Sequence, residues 1–384
     1  MRPFAQRLRA WLAGQIETLY PGSFAVVMAT GIISNAFFLE GHPILSDALF
    51  AANFLAYSLL VIFMVLRLLW FGPALRADLI NPRLVFSFFT IVAATDVLGT
   101  GIDLRGVESV AQALWFFALL AWFVLIYFSF AVLIFLNTRH GADILEGGWL
   151  MAIVGTQSLV ILGATVGATL GHLRPGVFVL IHLLWGLGLA LYGIYIAIFC
   201  YRIFFSDIRP DDVTPSLWVV MGAAAISTNA GSVLVLTDSG ISFLQSMRPF
   251  IEGVTPLIWA WGTWWIPLLA LLGIWKHVVC RVPLTYTPTL WSFVFPLGMY
   301  AEAVCVFRSR RTFRRYGLYL RPCCGLRLSR GRSPPARWPP PRGSAFATMR
   351  DERFWMGKLR RTLTGSAVRV SRPAEPPTCT RVGR

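Results

Sequence analysis

Charge is scarce through most of this sequence. Charged residues fill 14% of its 384 positions, against roughly 25% in soluble domains, and the mean hydropathy is +0.65. That excludes an ordinary water-soluble globule and points to a chain that crosses a membrane many times. The deficit is uneven. Residues 1–302 hold 14 Lys and Arg against 15 Asp and Glu, whereas residues 303–384 hold 20 against 3. The formal charge of +16 therefore belongs to the C-terminal tail. The six cysteines show no paired C-x-x-C spacing, so neither a zinc site nor a disulfide framework is indicated. No Ser-His-Asp set, phosphate-binding loop or dinucleotide fingerprint occurs, and no enzyme activity, cofactor or metal is expected. The first twenty residues contain arginines but no short apolar run ending in a small-residue cleavage site, so they read as a cytoplasmic lead-in and not a signal peptide.

What is present is apolar sequence in long runs. Nine stretches are suited to spanning a bilayer: residues 19–39, 44–71, 84–102, 107–137, 148–170, 175–205, 216–236, 249–275 and 288–307. Short loops make consecutive spans antiparallel hairpins. The N-terminal segment and every second loop carry Arg2, Arg7, Arg9, Arg67, Arg76, Arg83, Arg139, Arg202, Arg209, Lys276 and Arg281, and the other loops only Arg105, Arg174 and Arg248. This asymmetry predicts a cytoplasmic N-terminus in a plasma (inner) membrane protein.

The spans alternate in character. Even spans hold 29 Phe, Trp and Tyr in 117 residues, and odd spans 14 in 104. LWFFALLAWFVLIYFSFAVLIFL (114–136) is typical of the even set and suits a lipid-facing surface. The odd set carries small and mildly polar clusters: MATGIISN (28–35), TIVAATD (90–96), VGTQS (154–158) and AAISTNAGS (224–232). Small residues allow close helix packing, and hydroxyls and amides at membrane depth favour a bundle interior or an aqueous path. The expected fold is therefore an all-α membrane protein of helical hairpins, with an inner ring of odd helices inside an outer ring of even ones. Pore-lining candidates are Thr30, Ser34, Asn35, Thr95, Asp96, Thr156, Gln157, Ser227, Thr228 and Asn229. Every odd helix starts at the cytoplasmic side, so the positive dipole ends and most loop arginines gather at one mouth, which attracts anions. The odd spans contain no Lys or Arg, so binding along the path is expected to be weak, as conduction requires.

Asp96 is expected to be the one acid at mid-span depth in an inner helix, a candidate for proton coupling or a hydrated structural carboxylate. His182 on an even span reads as packed and neutral, and Trp259, Trp261, Trp264 and Trp265 as interfacial or lipid-facing. In LWSFVFPLGMY (290–300), Pro296 removes a backbone donor from the last inner span. With Gly298 leaving room nearby, a kink toward the axis makes Phe295 an apolar plug; the alternative is an ordinary kinked helix with a lipid-facing Phe.

YPGSFAVVMATGI (20–32) and LWSFVFPLGMY (290–300) resemble the opening and ninth-helix motifs of the tellurite-resistance/C4-dicarboxylate transporter family, across about residues 19–302. That family includes bacterial tellurite-resistance proteins, fungal malic-acid permeases and sulfite pumps, and plant slow anion channels. The resemblance implies ten helices in five hairpins around a central pore, closed by a phenylalanine that Phe295 matches. It also implies transport of small anions, with a C4-dicarboxylate such as malate foremost, and a homo-oligomer (a trimer). A proton-coupled carrier remains open beside a channel.

The sequence leaves the family pattern after about Glu302, where no tenth span follows. Residues 303–384 form a basic tail with 19 Arg, nine Pro, four Cys and no Ile. One reading is a disordered tail that binds anionic lipid or nucleic acid, the working part of a membrane-anchored interaction protein. The favoured reading is frameshifted text in place of the tenth helix, so the expected partners are small anions and lipid, not nucleic acid.

Overall fold

The computed structural model describes residues 4–136, 147–205 and 207–309. They lie within the first of two units into which the chain divides, Met1–Arg321. Among the described residues there is no strand, and nine helical stretches are long and apolar enough to cross a membrane. A lead-in helix, α1 (Phe4–Glu17), precedes them. Then come α2 (Ala25–Leu39), α3 (Pro43–Trp70), a short α4 (Gly72–Leu79), α5 (Phe89–Asp103) and α6 (Glu108–Phe135). The chain continues through α7 (Leu150–Val166), α8 (Arg174–Phe205), α9 (Val219–Leu236), α10 (Ser242–Ile274) and α11 (Trp291–Ser309). The last helix passes the boundary expected at residue 302. The tail that follows, and with it the frameshift reading, lies outside the described residues.

The inner helices α2, α5, α7, α9 and α11 touch in cyclic order, and α11 closes on α2. Burial separates the two rings. The spans of α5, α7 and α9 are each 89% buried, whereas the spans built on α3, α6, α8 and α10 are 6–39% buried. Each outer helix packs on the inner helix before it and leans on the next: α3 on α2 and α5, α6 on α5 and α7, α8 on α7 and α9. No described helix fills the matching seam between α11 and α2. Those two inner spans are correspondingly the least covered, at 33% and 56%.

Each inner helix is entered through a 3-10 turn: Pro21–Phe24, Val85–Phe88, Gly147–Trp149, Pro215–Trp218 and Pro288–Leu290. Three of these turns begin with proline, whose fixed φ suits the first helical position and whose missing N–H would have no partner there anyway. The five turns meet in the same cyclic order as their helices. They define one end of the ring.

Two expectations need correction. The eighth span begins at Ser242, not at residue 249, because Pro249 is accommodated inside α10 and Arg248 pairs with Glu252 one turn on (3.1 Å). Trp265 is not lipid-facing: it is fully buried, with its ring 5.3 Å from Phe199 and 5.0 Å from Trp264.

Candidate functional site: the axis of the five-helix ring

At the end defined by the 3-10 turns the ring opens into a cavity of about 1080 Å³. Ser87, Thr214 and Ser216 line it with hydroxyls, Arg83 and Lys276 with cations, and Trp218 and Phe293 with aromatic rings. Five helix N-termini face this end, which favours negative charge. The basic side chains add less than the sequence suggested. Arg67 is buried, donating to Asp78 (2.7 Å) and to the Glu17 carbonyl (3.0 Å), so it clamps α1 and α4 to α3. Arg202 pairs with Asp212 at 3.0 Å, and Lys276 donates to the Val213 carbonyl at 2.8 Å. These loops need their cations for their own closure.

Phe295 is the fifth residue of α11 and is completely buried. Met299 and Glu302 follow at i+4 and i+7, so all three share one helix face. Met299 and Glu302 line a second, small cavity on the axis. Phe295 therefore stands on the axial face of α11, between that cavity and the mouth. Pro296 packs on α9: a Cβ on Gly222 would lie 2.8–3.2 Å from three Pro296 atoms. Gly298 meets α2, where a Cβ would come 2.7 Å from Ile32 Cγ2. The two glycines bring the proline-bearing helix against both neighbours in the ring.

The small cavity, of about 10 Å³, is lined by all five inner helices. Asn35 comes from α2, Asp96 and Thr100 from α5, Ser158 from α7, Asn229 from α9, and Met299 and Glu302 from α11. They occupy positions eight to twelve of their helices, so the chamber is one level of the ring, about 10 Å beyond Phe295 as measured to Glu302 at 1.5 Å per residue. Asp96 is 1% exposed and Glu302 4%. Ser158 donates to Asp96 Oδ2 at 2.6 Å. Asp96 Oδ1, Glu302 Oε2, Asn35 Oδ1 and both amide atoms of Asn229 have no hydrogen-bond partner. Asp96 is thus not the one acid at mid-span depth in an inner helix. Glu302, taken from sequence as the end of the family pattern, is the second.

Of the ten polar candidates, Asn35, Asp96 and Asn229 meet at the chamber, and most of the others bond elsewhere. Thr30 donates to Asn53 of α3 (2.9 Å), and Ser34 to the Ser46 carbonyl of α3 (2.8 Å). Thr95 bonds Tyr57 of α3 (2.8 Å), Thr156 accepts from Trp122 of α6 (2.8 Å), and Gln157 donates to the Trp185 carbonyl of α8 (3.2 Å). Ser227 and Thr228 donate back to Ala223 and Ala224 within α9. Two hydrogen-bonding habits explain this: helical Ser and Thr satisfy themselves on the preceding turn, and outer-ring Trp and Tyr need an acceptor once buried. Much of the polar signal belongs to the seam between the rings. His182 on α8 is partly buried, with Nδ1 2.7 Å from the Phe178 carbonyl, in line with a packed histidine.

A ring of inner helices pierced by one axis, with a buried phenylalanine before a proline, can be set beside known proteins. Residues 18–318 match the model of the SLAC1 family, described as voltage-dependent anion channels. The chain belongs to that family. It is the family of channels and transporters to which the two motifs pointed. An uncharacterized transporter of Methanocaldococcus jannaschii is 28% identical over 289 residues, covering 72% of this chain and 81% of the relative. A second from the same organism is 28% identical over 298 residues, covering 75% and 83%. An uncharacterized membrane protein of Mycobacterium tuberculosis is 48% identical over 100 residues, 26% of this chain. The chain spans half the length of that mycobacterial relative.

Proposed function

We propose that this SLAC1-family protein passes small anions along the axis of its five-helix ring, with Phe295 as the plug. The observation that carries this reading is the position of Phe295. It is buried on the face of α11 that continues into the axial chamber, two residues beyond Phe293, which lines the mouth cavity. A hydrophobic constriction at that place excludes water and with it hydrated ions. The helix N-termini at the mouth draw anions in, and the absence of inner-ring Lys and Arg up to residue 307 avoids a trap. Pro296 and Gly298 hold the plug-bearing segment close to its neighbours and bind nothing themselves.

The substrate class proposed from the family resemblance is a small anion, with a C4-dicarboxylate such as malate foremost and tellurite-related anions, sulfite, nitrate and chloride as the set to compare. The arginine asymmetry supports a cytoplasmic mouth in the plasma membrane, and the resemblance supports a trimer. Residues 1–302 are proposed as the transporting body and the basic segment beyond as dispensable for passage. The test is reconstitution of the purified full chain in liposomes, with anion efflux followed for each candidate and a potassium gradient as the cation control. Anion efflux exceeding cation efflux is the expected result. Equal leakage of both ions, or of neither, overturns the proposal.

A further inference from the structure

The axial chamber holds more acceptors than donors. With both carboxyl groups ionised, four buried oxygens there lack a partner: Asp96 Oδ1, Glu302 Oε2, Asn35 Oδ1 and Asn229 Oδ1. The one unpartnered donor is Asn229 Nδ2. Asn229 lies against the Glu302 carboxylate without reaching hydrogen-bonding geometry. Buried polar atoms are almost always satisfied, and the exceptions mark a missing proton, water or ion. The cavity of about 10 Å³ is close to the minimum that admits one water. One water supplies two hydrogens, too few for four acceptors.

Charge gives the same answer as hydrogen bonding. Up to residue 307 the inner helices carry no Lys, Arg or His, and no basic group lines the chamber. Two carboxylates buried without a cation are strongly disfavoured. The groups nearby offer no compensation. Of the elements packed on α5 and α11, the inner helices α2, α7 and α9 have no titratable side chain. From α3, Tyr57 bonds Thr95, and Asp47 pairs with Arg105 at 2.9 Å. From α6, Glu108 lies near Asp103 at the end of α5. From α10, Arg248 pairs with Glu252. Tyr300 and Cys305 lie on α11 itself.

We propose that Asp96 and Glu302 form an acid pair whose protons set the charge of the axis, so that anions cross only while the pair is protonated. A proton on either carboxyl removes one negative charge and converts an unpartnered acceptor into an O–H donor. That donor serves an amide oxygen of Asn35 or Asn229 at rest and a passing anion in transit. Loss of the protons leaves two carboxylates facing the anion at the narrow level just past Phe295. The pair thus selects for anions at acidic pH and blocks them at alkaline pH. It rests on the reading that anions travel this axis, and gives the direct role to two groups of which sequence marked one.

The experiment reconstitutes the full chain and its Asp96→Asn, Glu302→Gln and doubly substituted forms in liposomes, with nitrate efflux measured at equal pH on both sides. Wild-type efflux should fall roughly tenfold or more across about pH 5 to 9, the range in which buried carboxyls change charge. The double variant should vary less than about twofold over the same range, because an amide neither gains nor loses a proton there. Each single variant should retain efflux at the alkaline end. Infrared spectra supply a measure independent of transport: a carboxylic-acid carbonyl band present in the wild type and reduced in each isosteric variant. A flat wild-type profile, a double variant that titrates like the wild type, or efflux that follows sodium at constant pH overturns the acid pair. A chain passing no anion at any pH defeats the anion-passage reading instead, and the infrared band then decides the pair alone: retained if the variants remove it, lost if the wild type lacks it.

Discussion

Phe295→Ala is the substitution most directly tied to the axis. The ring is completely buried on the axial face of α11, between a mouth of about 1080 Å³ and a chamber of about 10 Å³. Bringing a polar or hydrated group past an apolar barrier without compensation costs upward of about 2 kcal/mol. Each factor of ten in rate corresponds to about 1.4 kcal/mol. Removing the ring should therefore raise anion conductance roughly thirtyfold or more. Phe295→Leu keeps most of the apolar bulk and should give a smaller rise. The same truncation leaves a void, and buried Phe→Ala changes cost about 3–5 kcal/mol, so the variant is first shown to be monodisperse and present in the membrane at normal amount. The control is Leu297→Ala, two residues along on the outward face, where Leu297 is 38% exposed. Phe293 is unsuitable as a control because it lines the mouth and meets Trp218 edge-on at 4.5 Å. Planar-bilayer recording of the three variants provides the measurement. No increase for Phe295→Ala, or an equal increase for Leu297→Ala, refutes the plug and leaves the FVFP stretch as a structural kink.

Other predictions bear on the fold that holds the axis. Gly222→Ala should lower the melting temperature in detergent by an amount equivalent to about 1–3 kcal/mol, since its Cβ would meet Pro296 at 2.8 Å; an unchanged transition would show that α9 and α11 are not in close contact. Trp122→Phe removes the donor to Thr156 and should cost about 0.5–1.5 kcal/mol with conductance unaltered, because that bond lies between the rings and not on the axis. Asp96→Asn should leave efflux at neutral pH intact or raised; its abolition, together with uphill uptake driven by a proton gradient, would favour a coupled carrier. Reading the gene downstream of codon 302 in all three frames should reveal an apolar run of about 20 residues, and its absence would make the basic tail authentic.

The rings were legible in sequence because lipid leaves a compositional mark. A helix facing hydrocarbon has no reason to avoid large aromatics, while one packed on four neighbours is limited to small residues. That contrast separates α6, with Phe117 and Tyr127 53% and 68% exposed, from α9, where Gly222 meets Pro296. The axis was less legible, for a reason that lies in hydrogen bonding. Thr30, Ser34, Thr95, Thr156 and Gln157 have the composition of a polar pathway, yet each bonds an outer helix. Composition reports that a side chain is polar and buried, but only geometry reports which partner satisfies it. Glu302 shows the converse. Its place seven residues after Phe295 puts it on the same face of α11 as that ring, a relation of period 3.6 readable from the sequence. The sequence hides it because the segment read as a basic tail, residues 303–384, starts immediately after it. The atoms that distinguish the axis are those that neither ring satisfies: Asp96 Oδ1, Asn35 Oδ1, Glu302 Oε2 and both amide atoms of Asn229. Buried atoms left so mark a missing proton, water or ion, and α2, α5, α9 and α11 place theirs at one level, about 10 Å beyond Phe295 as measured to Glu302.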